Sequence, residues 1–531
     1  MGARTVYIPQ DRRRAIARGE ELPDRTQGAA LFADISGFTP LTEALVKELG
    51  SRRGADELTK NLNLVYSALI DQAHLYGGSI IGFSGDAITC WFDHDEGLRA
   101  IACGLGMQQA MAAFERITTP SGNTISLGMK AAIASGPARR FRVGDPYIQY
   151  IDVLAGQTLD RMVMAEQQAR RGEVLVSSET AAPLEQALVV AEWRSQPDET
   201  GRFAVVTGLT LFPPLPTDSL VPVTAAEQLT EEQVRPWLLP PIFERLHGGQ
   251  DEFLAEIRPA VALFLKFGGL NYDQDDAAGQ KLDRYIQWVQ RTLARYEGYL
   301  IQLTVGDKGS YLYAAFGAPV TYANEADRAV AAALELRSPP VELDFIGPVQ
   351  IGLSRGLMRT GAYGSPTRQT YGVLGDETNM AARLMNKAEP GQILVSQRVA
   401  DTVAKSYQLQ YQGLVQVKGR KEPLAVSLVL GRRLPSPQRP AAIFTQPLLD
   451  REAELAQLDK NLAAVLMGEG HVVRLEGCRG VGKVTSRLYL SNAPLAWGSG
   501  WAWATAKAPA RIRSIIPGGK YSEPCSNCPT R

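Results

Sequence analysis

The sequence contains few cysteines and no long apolar run. Only five of its 531 residues are cysteine, too few and too unevenly placed for a disulfide framework in a chain of this length. The longest apolar stretches, such as 29–32 and 261–265, fall far short of the roughly 20 residues that a membrane helix needs. The N-terminus has no apolar core of a secretion signal. We therefore expect reduced thiols, no membrane span and a cytoplasmic location.

An excess of charge of one sign is also absent. Lys plus Arg and Asp plus Glu both number 56, so no overall field attracts nucleic acid or an anionic membrane. The composition predicts no nucleic-acid partner, and any charged substrate must be held by a local site. A length of 531 residues exceeds what one hydrophobic core usually serves, which predicts several domains.

A long-range repeat runs through the chain. The segment 172–177 returns as 391–396, and the segment 76–81 returns as 296–301, both about 220 residues later. Self-similarity at a fixed separation indicates two copies of one domain. Each copy opens with an apolar strand, continues with a helical stretch and a hairpin, and ends with strands around another helix. This order predicts an antiparallel sheet covered by helices, an α+β fold.

Proline-rich segments divide the chain. Segments 212–216 and 434–440 are dense in proline, which ends regular structure and is typical of connectors. The predicted divisions are an N-terminal segment at 1–27, a first domain at 28–212, a linker at 213–249, a second domain at 250–432, a P-loop start at 433–490 and an irregular tail at 491–531.

Two carboxylates in the first copy are candidates for phosphate chemistry. Asp34 ends an apolar strand and precedes a glycine-containing turn and a helix start, whose free amides can hold phosphate. Asp86 stands at the hairpin turn and would lie beside Asp34 if the hairpin pairs with the opening strand. Two carboxylates that share two divalent cations suit phosphoryl transfer. Either residue alone is more often a turn or cap residue, so the pair is the informative signal.

Asn379 and Arg383 in the second copy lie four residues apart on a predicted helix, and hence on one face. An amide there can orient a sugar ring, and a guanidinium can stabilise charge that develops on a phosphate. The alternative is an ordinary solvated polar face.

The joint motifs resemble a known family. The segments 34–39 (Asp-Ile-Ser-Gly-Phe-Thr) and 84–87 (Ser-Gly-Asp-Ala), with 375–383 in the second copy, resemble the class III nucleotidyl cyclases, and most closely the tandem-domain soluble adenylyl cyclases and their bacterial relatives. The resemblance covers residues 28–432. It implies two ferredoxin-like catalytic domains packed as a pseudo-twofold heterodimer within one chain, with the active site at their interface. A functional monomer is therefore possible.

The resemblance also implies roles for single residues. Asp34 and Asp86, with the carbonyl of Ile35, would bind two Mg²⁺ or Mn²⁺ ions per active site. Asn379 and Arg383 would be catalytic together with the two aspartates. The implied substrate contacts are Ser36, Gly37, Phe38 and Thr39 for the terminal phosphates, Lys130 for the triphosphate, Lys308 for the base and the backbone of Val373 for the base edge.

The two copies differ at the positions that matter. Lys266 stands where the first copy has Asp34, while Asp160 and Met164 stand where the second copy has Asn379 and Arg383. An amine cannot replace a metal-binding carboxylate, and a thioether cannot replace a phosphate-binding guanidinium. The sequence therefore predicts one complete site and one degenerate site.

The function that the resemblance implies is adenylate cyclase, which converts ATP to 3′,5′-cyclic AMP and pyrophosphate in cyclic nucleotide signalling. Gly372 stands where many family members carry a base-reading Thr or Asp, so guanylate cyclase is an alternative. A catalytically silent nucleotide-binding sensor is another. Gly82 and Val163 stand where mammalian relatives carry the basic pair that responds to bicarbonate. Little bicarbonate activation is expected unless Arg161 substitutes.

A partial P-loop follows the repeat. Segment 477–484 nearly matches the motif, but Val484 replaces the Ser or Thr that would coordinate Mg²⁺. Relatives of the two-domain cyclases often carry an ATPase-like module here, yet the chain ends 48 residues after Lys483. We expect a truncated or frame-shifted module without ATPase activity.

Overall fold

The structure is a computed structural model that describes residues 2–196, 201–216, 229–248, 256–305, 309–415 and 423–433, with isolated positions beyond 433. Residues 1–433 form one compact unit and residues 434–531 a second. In the second unit, the short strands Val472–Arg474 and Arg513–Ile515 pair antiparallel. Lys483 and the rest of the predicted P-loop motif lie outside the described residues.

The first half of residues 1–433 begins with two short helices and then builds a sheet with helices packed on it. Its helices are α1 (Gly2–Thr5), α2 (Gln10–Arg18), α3 (Phe38–Leu75), α4 (Leu98–Met111), α5 (Gln157–Gln168) and α6 (Ser178–Ala181). Its strands are β1 (Arg25–Ser36), β2 (Ser79–Ser84), β3 (Ala87–Asp93), β4 (Ile117–Thr118), β5 (Thr124–Ile125), β6 (Gly128–Val143), β7 (Ile151–Ala155), β8 (Val174–Ser177), β9 (Leu188–Ser195) and β10 (Arg202–Leu209). Helix α3 is interrupted at Gly50, whose φ is 76°.

The second half repeats this succession. Its helices are α7 (Glu231–Val234), α8 (Pro240–His247), α9 (Ala278–Arg295), α10 (Glu325–Leu336), α11 (Asp376–Lys387) and α12 (Gln397–Val403). Its strands are β11 (Glu256–Phe267), β12 (Gly298–Thr304), β13 (Ser310–Phe316), β14 (Gln350–Gly364), β15 (Gln369–Leu374), β16 (Ile393–Ser396), β17 (Tyr407–Val415) and β18 (Leu424–Arg432). Among the helices that the structure describes, none combines the length and the apolarity that a bilayer span requires.

Two eight-stranded sheets of the same topology organise the unit. The first has the order β2-β3-β1-β6-β8-β10-β9, with β7 also paired to β6. The second has the order β12-β13-β11-β14-β16-β18-β17, with β15 also paired to β14. Each central strand, β1 or β11, carries an unbroken run of buried residues because helices and the other half of the unit cover both of its faces. The α+β class predicted from the sequence is confirmed, but the sheets are not purely antiparallel as predicted, since β6 pairs parallel with β8 and β14 pairs parallel with β16.

The long strands β6 and β14 each contribute side chains to the hydrophobic core of the other half. Phe141 and Val143 from β6 belong to the hydrophobic core built around α9 in the second half. Tyr363 from β14 belongs to the core built around α3 in the first half. The fit around Phe141 is close, since a Cβ atom on Gly279 of α9 would lie 2.7 Å from the phenylalanine ring. Each core is therefore complete only in the presence of the other half.

The described parts of the predicted linker and N-terminal segment are structured. Helix α8 begins at Pro240, where the sequence predicts an interruption. A proline in the first turn of a helix lacks an N–H group that would have no partner there in any case. Helices α1 and α2 occupy the N-terminal segment, and Ile8 between them is fully buried in a core that also holds Trp237 and Phe243.

Four charged side chains join α2 to β6 and β7. Arg12 Nε lies 2.9 Å from one carboxylate oxygen of Asp152, and Arg140 Nη2 lies 2.9 Å from the same oxygen. Arg140 also contacts Asp11. Burial opposes ionisation of Asp152, but Arg140 and Arg12 outweigh it and lower the pKa of this carboxyl to about 2. The network fixes the N-terminal helices against the first sheet.

Replacing Asp152 with Asn should remove the carboxylate charge that the buried guanidinium groups of Arg12 and Arg140 share, at a cost of about 3–5 kcal/mol in the free energy of unfolding at pH 7. Because the pKa of Asp152 is lower in the folded protein than its ordinary value of about 3.9, its contribution is present above pH ~4 and is lost as the pH falls toward about 2. Urea unfolding at pH 7, 4 and 3 measures this. As a control, Asp276→Asn removes only an exposed pair with Arg25, and should cost less than about 1 kcal/mol. Equal costs for the two variants would contradict the prediction.

Candidate active site

Asp34 and Asp86 lie on neighbouring strands. Strand β3 pairs antiparallel with β1, with Asp34 opposite Ala87. Asp86 precedes Ala87 in the turn between β2 and β3, and its carbonyl accepts a hydrogen bond of 3.2 Å from the amide of Ile35. The hairpin pairing on which the sequence argument depended therefore brings the two carboxylates together.

Desolvation and nearby charge disfavour ionisation of Asp86. Its side chain is exposed, but desolvation still raises its pKa, and the charge of Asp34 raises it further, to about 6. Desolvation also raises the pKa of half-buried Asp34, against the opposing effect of Lys130. A divalent cation between the carboxylates would relieve this repulsion.

The donor set fits Mg²⁺ or Mn²⁺ in part. Two adjacent carboxylates are the hard oxygen ligands that these ions prefer, and Asp86 has no ion-pair partner among the described residues. In the same residues, no group of three His, Cys, Asp or Glu side chains is placed to hold a metal. The remaining ligands would come from backbone carbonyls such as that predicted for Ile35, from water and from substrate phosphates, as is usual for Mg²⁺.

The segment from Ser36 to Thr39 joins the end of β1 to the first turn of α3. Gly37 has a φ of 107°, and a Cβ atom there would lie 2.6 Å from the carbonyl oxygen of Ser126, so only glycine fits. No side chain caps the helix that follows. Phe38 is buried in the core, while Thr39 is exposed. Uncapped amides at a helix start beside two carboxylates are suited to a phosphate that carries its cation.

Lys130 lies opposite Asp34 on β6. Its amine is 3.5 Å from the Asp34 carboxylate and also contacts the carboxylate of Glu166 on α5. This position beside Asp34 is compatible with the predicted triphosphate contact. Glu166 was not anticipated from the sequence, because nothing in the spacing of α5 shows which of its polar residues faces β6.

Asn379 and Arg383 share one face of α11, as predicted from their spacing. Asn379 is exposed and Arg383 is half-buried, whereas Met380 and Leu384 on the opposite side are buried. Neither Asn379 nor Arg383 makes a hydrogen bond or an ion pair with another described residue. Both side chains are therefore available to a ligand.

The strand before α11 carries the residues predicted at the base. Val373 is fully buried, and its carbonyl accepts hydrogen bonds from the hydroxyls of Tyr313 (2.9 Å) and Thr378 (3.3 Å). At Gly372, a Cβ atom would lie 2.3 Å from the ring of Tyr363. Lys308, the predicted base-reading lysine, lies outside the described residues.

The Asp86 hairpin contacts the second half directly. Tyr363 donates a hydrogen bond to the carbonyl of Gly85 (3.4 Å), and Gln302 donates one to Ser84 (2.8 Å). Tyr363 packs against β15, from whose end α11 starts. The carboxylates and the Asn379–Arg383 face are thus connected through β14 and β15, without a direct contact in the described residues.

The second cleft, which holds the degenerate site predicted from the sequence, is occupied by the protein's own side chains. Both carboxylate oxygens of Asp273 lie 3.2 Å from the amide of Gln157 at the start of α5. Arg139 crosses the same cleft, pairing with Asp24 and donating to the carbonyl of Tyr272. Asp160 and Met164, as predicted, belong to α5 on this side, and Lys266 to β11.

Comparison with known proteins finds a family similarity in the second half. Residues 277–429 match the profile of the family described as "Adenylate and Guanylate cyclase catalytic domain". This part of the chain is similar to nucleotidyl cyclase catalytic domains. It includes β15 and α11 with Gly372, Asn379 and Arg383.

The similarity to individual proteins extends over both halves. The chain is 24% identical over 405 residues to adenylate cyclase type 10 of Rattus norvegicus, which covers 70% of this chain and 25% of the relative. The protein of the same name from Homo sapiens is 24% identical over 388 residues, covering 68% and 24%. The chain spans about a quarter of the length of these curated relatives. The crystal structure of a class III adenylyl cyclase-like ATP-binding protein from Pseudomonas aeruginosa aligns with a TM-score of 0.48 and 10% identity, covering 75% of this chain and 92% of that chain.

Replacing Asp86 with Asn should stabilise the metal-free protein at pH 7. A carboxyl whose pKa is raised in the folded state destabilises that state as the pH rises from ~4 through about 6. Since solvent reaches this side chain, the gain should be at most about 1–2 kcal/mol.

Thermal unfolding with EDTA at pH 4.5 and pH 7 measures this gain. Mg²⁺ should stabilise the wild type at pH 7 and have less effect on Asp86→Asn. Glu43→Gln on the exposed face of α3 should behave as the wild type under every condition. A wild type that is equally stable with and without divalent cation would argue against the metal site.

Proposed function

We propose that the chain is an adenylate cyclase, which converts ATP to 3′,5′-cyclic AMP and pyrophosphate at a single site between its two halves. The observation that carries the proposal is the pairing of β1 with β3, which brings Asp34 and Asp86 together, with the Asp86 turn in contact with Tyr363 of the half that includes α11. The second cleft lacks this set, and hydrogen bonds from the amide of Gln157 to Asp273 and from Arg139 to the carbonyl of Tyr272 join the two halves there.

The first half would hold the phosphates. The amides at the start of α3 would bind the terminal phosphate oxygens, and Lys130 would add a positive charge beside them. Asp34 and Asp86 would ligate two divalent cations. When bound, such cations neutralise phosphate charge and make the ribose 3′-hydroxyl more acidic.

The second half would orient the sugar and stabilise the reacting phosphate. Asn379 would position the ribose ring, so that its 3′-oxygen faces the α-phosphorus in line with the bond to the departing pyrophosphate. Arg383, one helical turn further along α11, would stabilise the negative charge that builds on the α-phosphate. The 3′-oxygen forms the new bond to phosphorus, the bond to pyrophosphate breaks, and the hydroxyl proton leaves to solvent.

Adenine is favoured over guanine by the similarity to the mammalian adenylate cyclases, while Gly372 provides no side chain to read the base. Guanylate cyclase is therefore the second candidate. A silent nucleotide-binding sensor is less well supported, because Asn379 and Arg383 remain unpartnered among the described residues beside an intact carboxylate pair.

The test is cyclic nucleotide formation from ATP and from GTP with Mg²⁺ or Mn²⁺. Asp34→Ala and Arg383→Ala should each lower the turnover of ATP by at least about a hundredfold, because each removes a group that stabilises charge in the transition state. Cyclic AMP should exceed cyclic GMP with the wild type.

The matched control lies in the degenerate cleft. Met164→Ala changes the position on α5 that corresponds to Arg383, and should leave the turnover within about twofold if only one site works. Loss of activity in Met164→Ala equal to that in Arg383→Ala would mean that both clefts take part. Nucleotide binding without product under any condition would favour the sensor.

A further inference from the structure

Both halves of the chain hold the turn that carries Asp86. The carbonyl of Gly85 accepts a hydrogen bond from the hydroxyl of Tyr66 in the first half (3.0 Å) and another from the hydroxyl of Tyr363 in the second half (3.4 Å). The neighbouring Ser84 accepts a hydrogen bond from Gln302. The backbone that precedes Asp86 is thus fixed by side chains, and not by the two-residue turn alone.

The ring of Tyr363 is enclosed on all sides. Its centroid lies 5.3 Å from that of Tyr66 and 5.6 Å from that of Phe83, and the guanidinium of Arg359 lies 5.7 Å from it. Only 3% of Tyr363 is exposed. The ring cannot move without disturbing the first-half core or the hairpin.

The space that the ring occupies depends on Gly372. A Cβ atom at residue 372 would lie 2.3 Å from Cε1 of Tyr363, far inside a van der Waals contact. The ring of Tyr363 on β14 therefore fits only because Gly372 on β15 has no side chain. Tyr363 reaches from β14, which pairs with the strand that leads into α11, to the turn that presents Asp86.

We propose that Tyr363 is a positioning residue: its ring and hydroxyl set the Gly85–Asp86 backbone, and hence the geometry of the Asp34–Asp86 pair toward divalent cations, in the space left open by Gly372. The inference rests on the proposed function of this site. Mg²⁺ demands near-ideal octahedral geometry, so a small displacement of one carboxylate weakens its binding. A tyrosine that served packing alone would affect stability without altering the metal affinity of the folded protein.

The test is a titration of the full chain with Mn²⁺ in the presence of a non-cyclisable ATP analogue. Electron paramagnetic resonance measures how much of the Mn²⁺ is bound. Tyr363→Phe removes the hydroxyl and keeps the ring, and should weaken Mn²⁺ binding about three- to tenfold, the effect expected for one hydrogen bond. Tyr363→Leu removes the ring as well, and should weaken binding further. In assays, the Mn²⁺ concentration for half-maximal turnover should rise in parallel.

Two further variants separate positioning from packing. Tyr285→Phe changes a fully buried tyrosine of the second core whose hydroxyl has no hydrogen-bond partner among the described residues, and should leave the Mn²⁺ titration unchanged. Gly372→Ala should weaken Mn²⁺ binding by displacing the Tyr363 ring. Combined with Tyr363→Leu, which makes room for the added methyl group, it should cause little further loss, a non-additivity expected of residues in contact.

The inference is overturned if Tyr363→Phe and Tyr363→Leu both bind Mn²⁺ as tightly as the wild type does. If the wild type makes a cyclic nucleotide in the same experiments, the proposed function still stands. A wild type that neither binds Mn²⁺ nor forms product would overturn both. Weakened Mn²⁺ binding in the Tyr363 variants with a normal Tyr285→Phe control would support the inference.

Discussion

Each half of residues 1–433 completes its hydrophobic core with side chains from the other half. Phe141 and Val143 extend from β6 into the second core, and Tyr363 extends from β14 into the first. Full burial of an aromatic side chain stabilises a protein by roughly 1.5–3 kcal/mol, so separating the halves would expose surface that neither can cover alone. The position of one half on the other is therefore set by core packing, and a site built from both can be precise.

The two clefts between the halves differ in whether their charged and polar groups have partners. In the first cleft, like charges are brought together at Asp34 and Asp86, and the polar face of α11 is left without partners among the described residues. In the second cleft, Arg139 donates a hydrogen bond to the carbonyl of Tyr272 on the opposite half, and Asp273 accepts one from the amide of Gln157. A cleft with unbalanced charge favours a ligand, whereas a cleft with paired charge favours closure. The second cleft thus contributes to holding the halves together.

Much of the site could be anticipated from local pattern. The Asp34 motif, the Asp86 turn and the Asn379–Arg383 spacing each depend on residues close in sequence, and β1, the β2–β3 hairpin and α11 are where these patterns predict them. The structure of the predicted linker differed, because proline is both a helix breaker and a favoured first-turn residue, and α8 uses the second property. The N-terminal helices were not foreseen either, since their partners Asp152 and Arg140 are more than a hundred residues away.

The sequence by itself determined the α+β class, the inequality of the two copies at Lys266 and Met164, and the residues proposed for metal, phosphate and sugar. These follow from periodicity and from side-chain chemistry, which act over a few residues. Only the tertiary structure decided that Glu166 contacts Lys130, that Asp273 occupies the start of α5, and that Tyr363 takes the space over Gly372 and reaches Gly85. Such contacts depend on the packing of one half against the other, and no local pattern records which side chains that packing brings within reach.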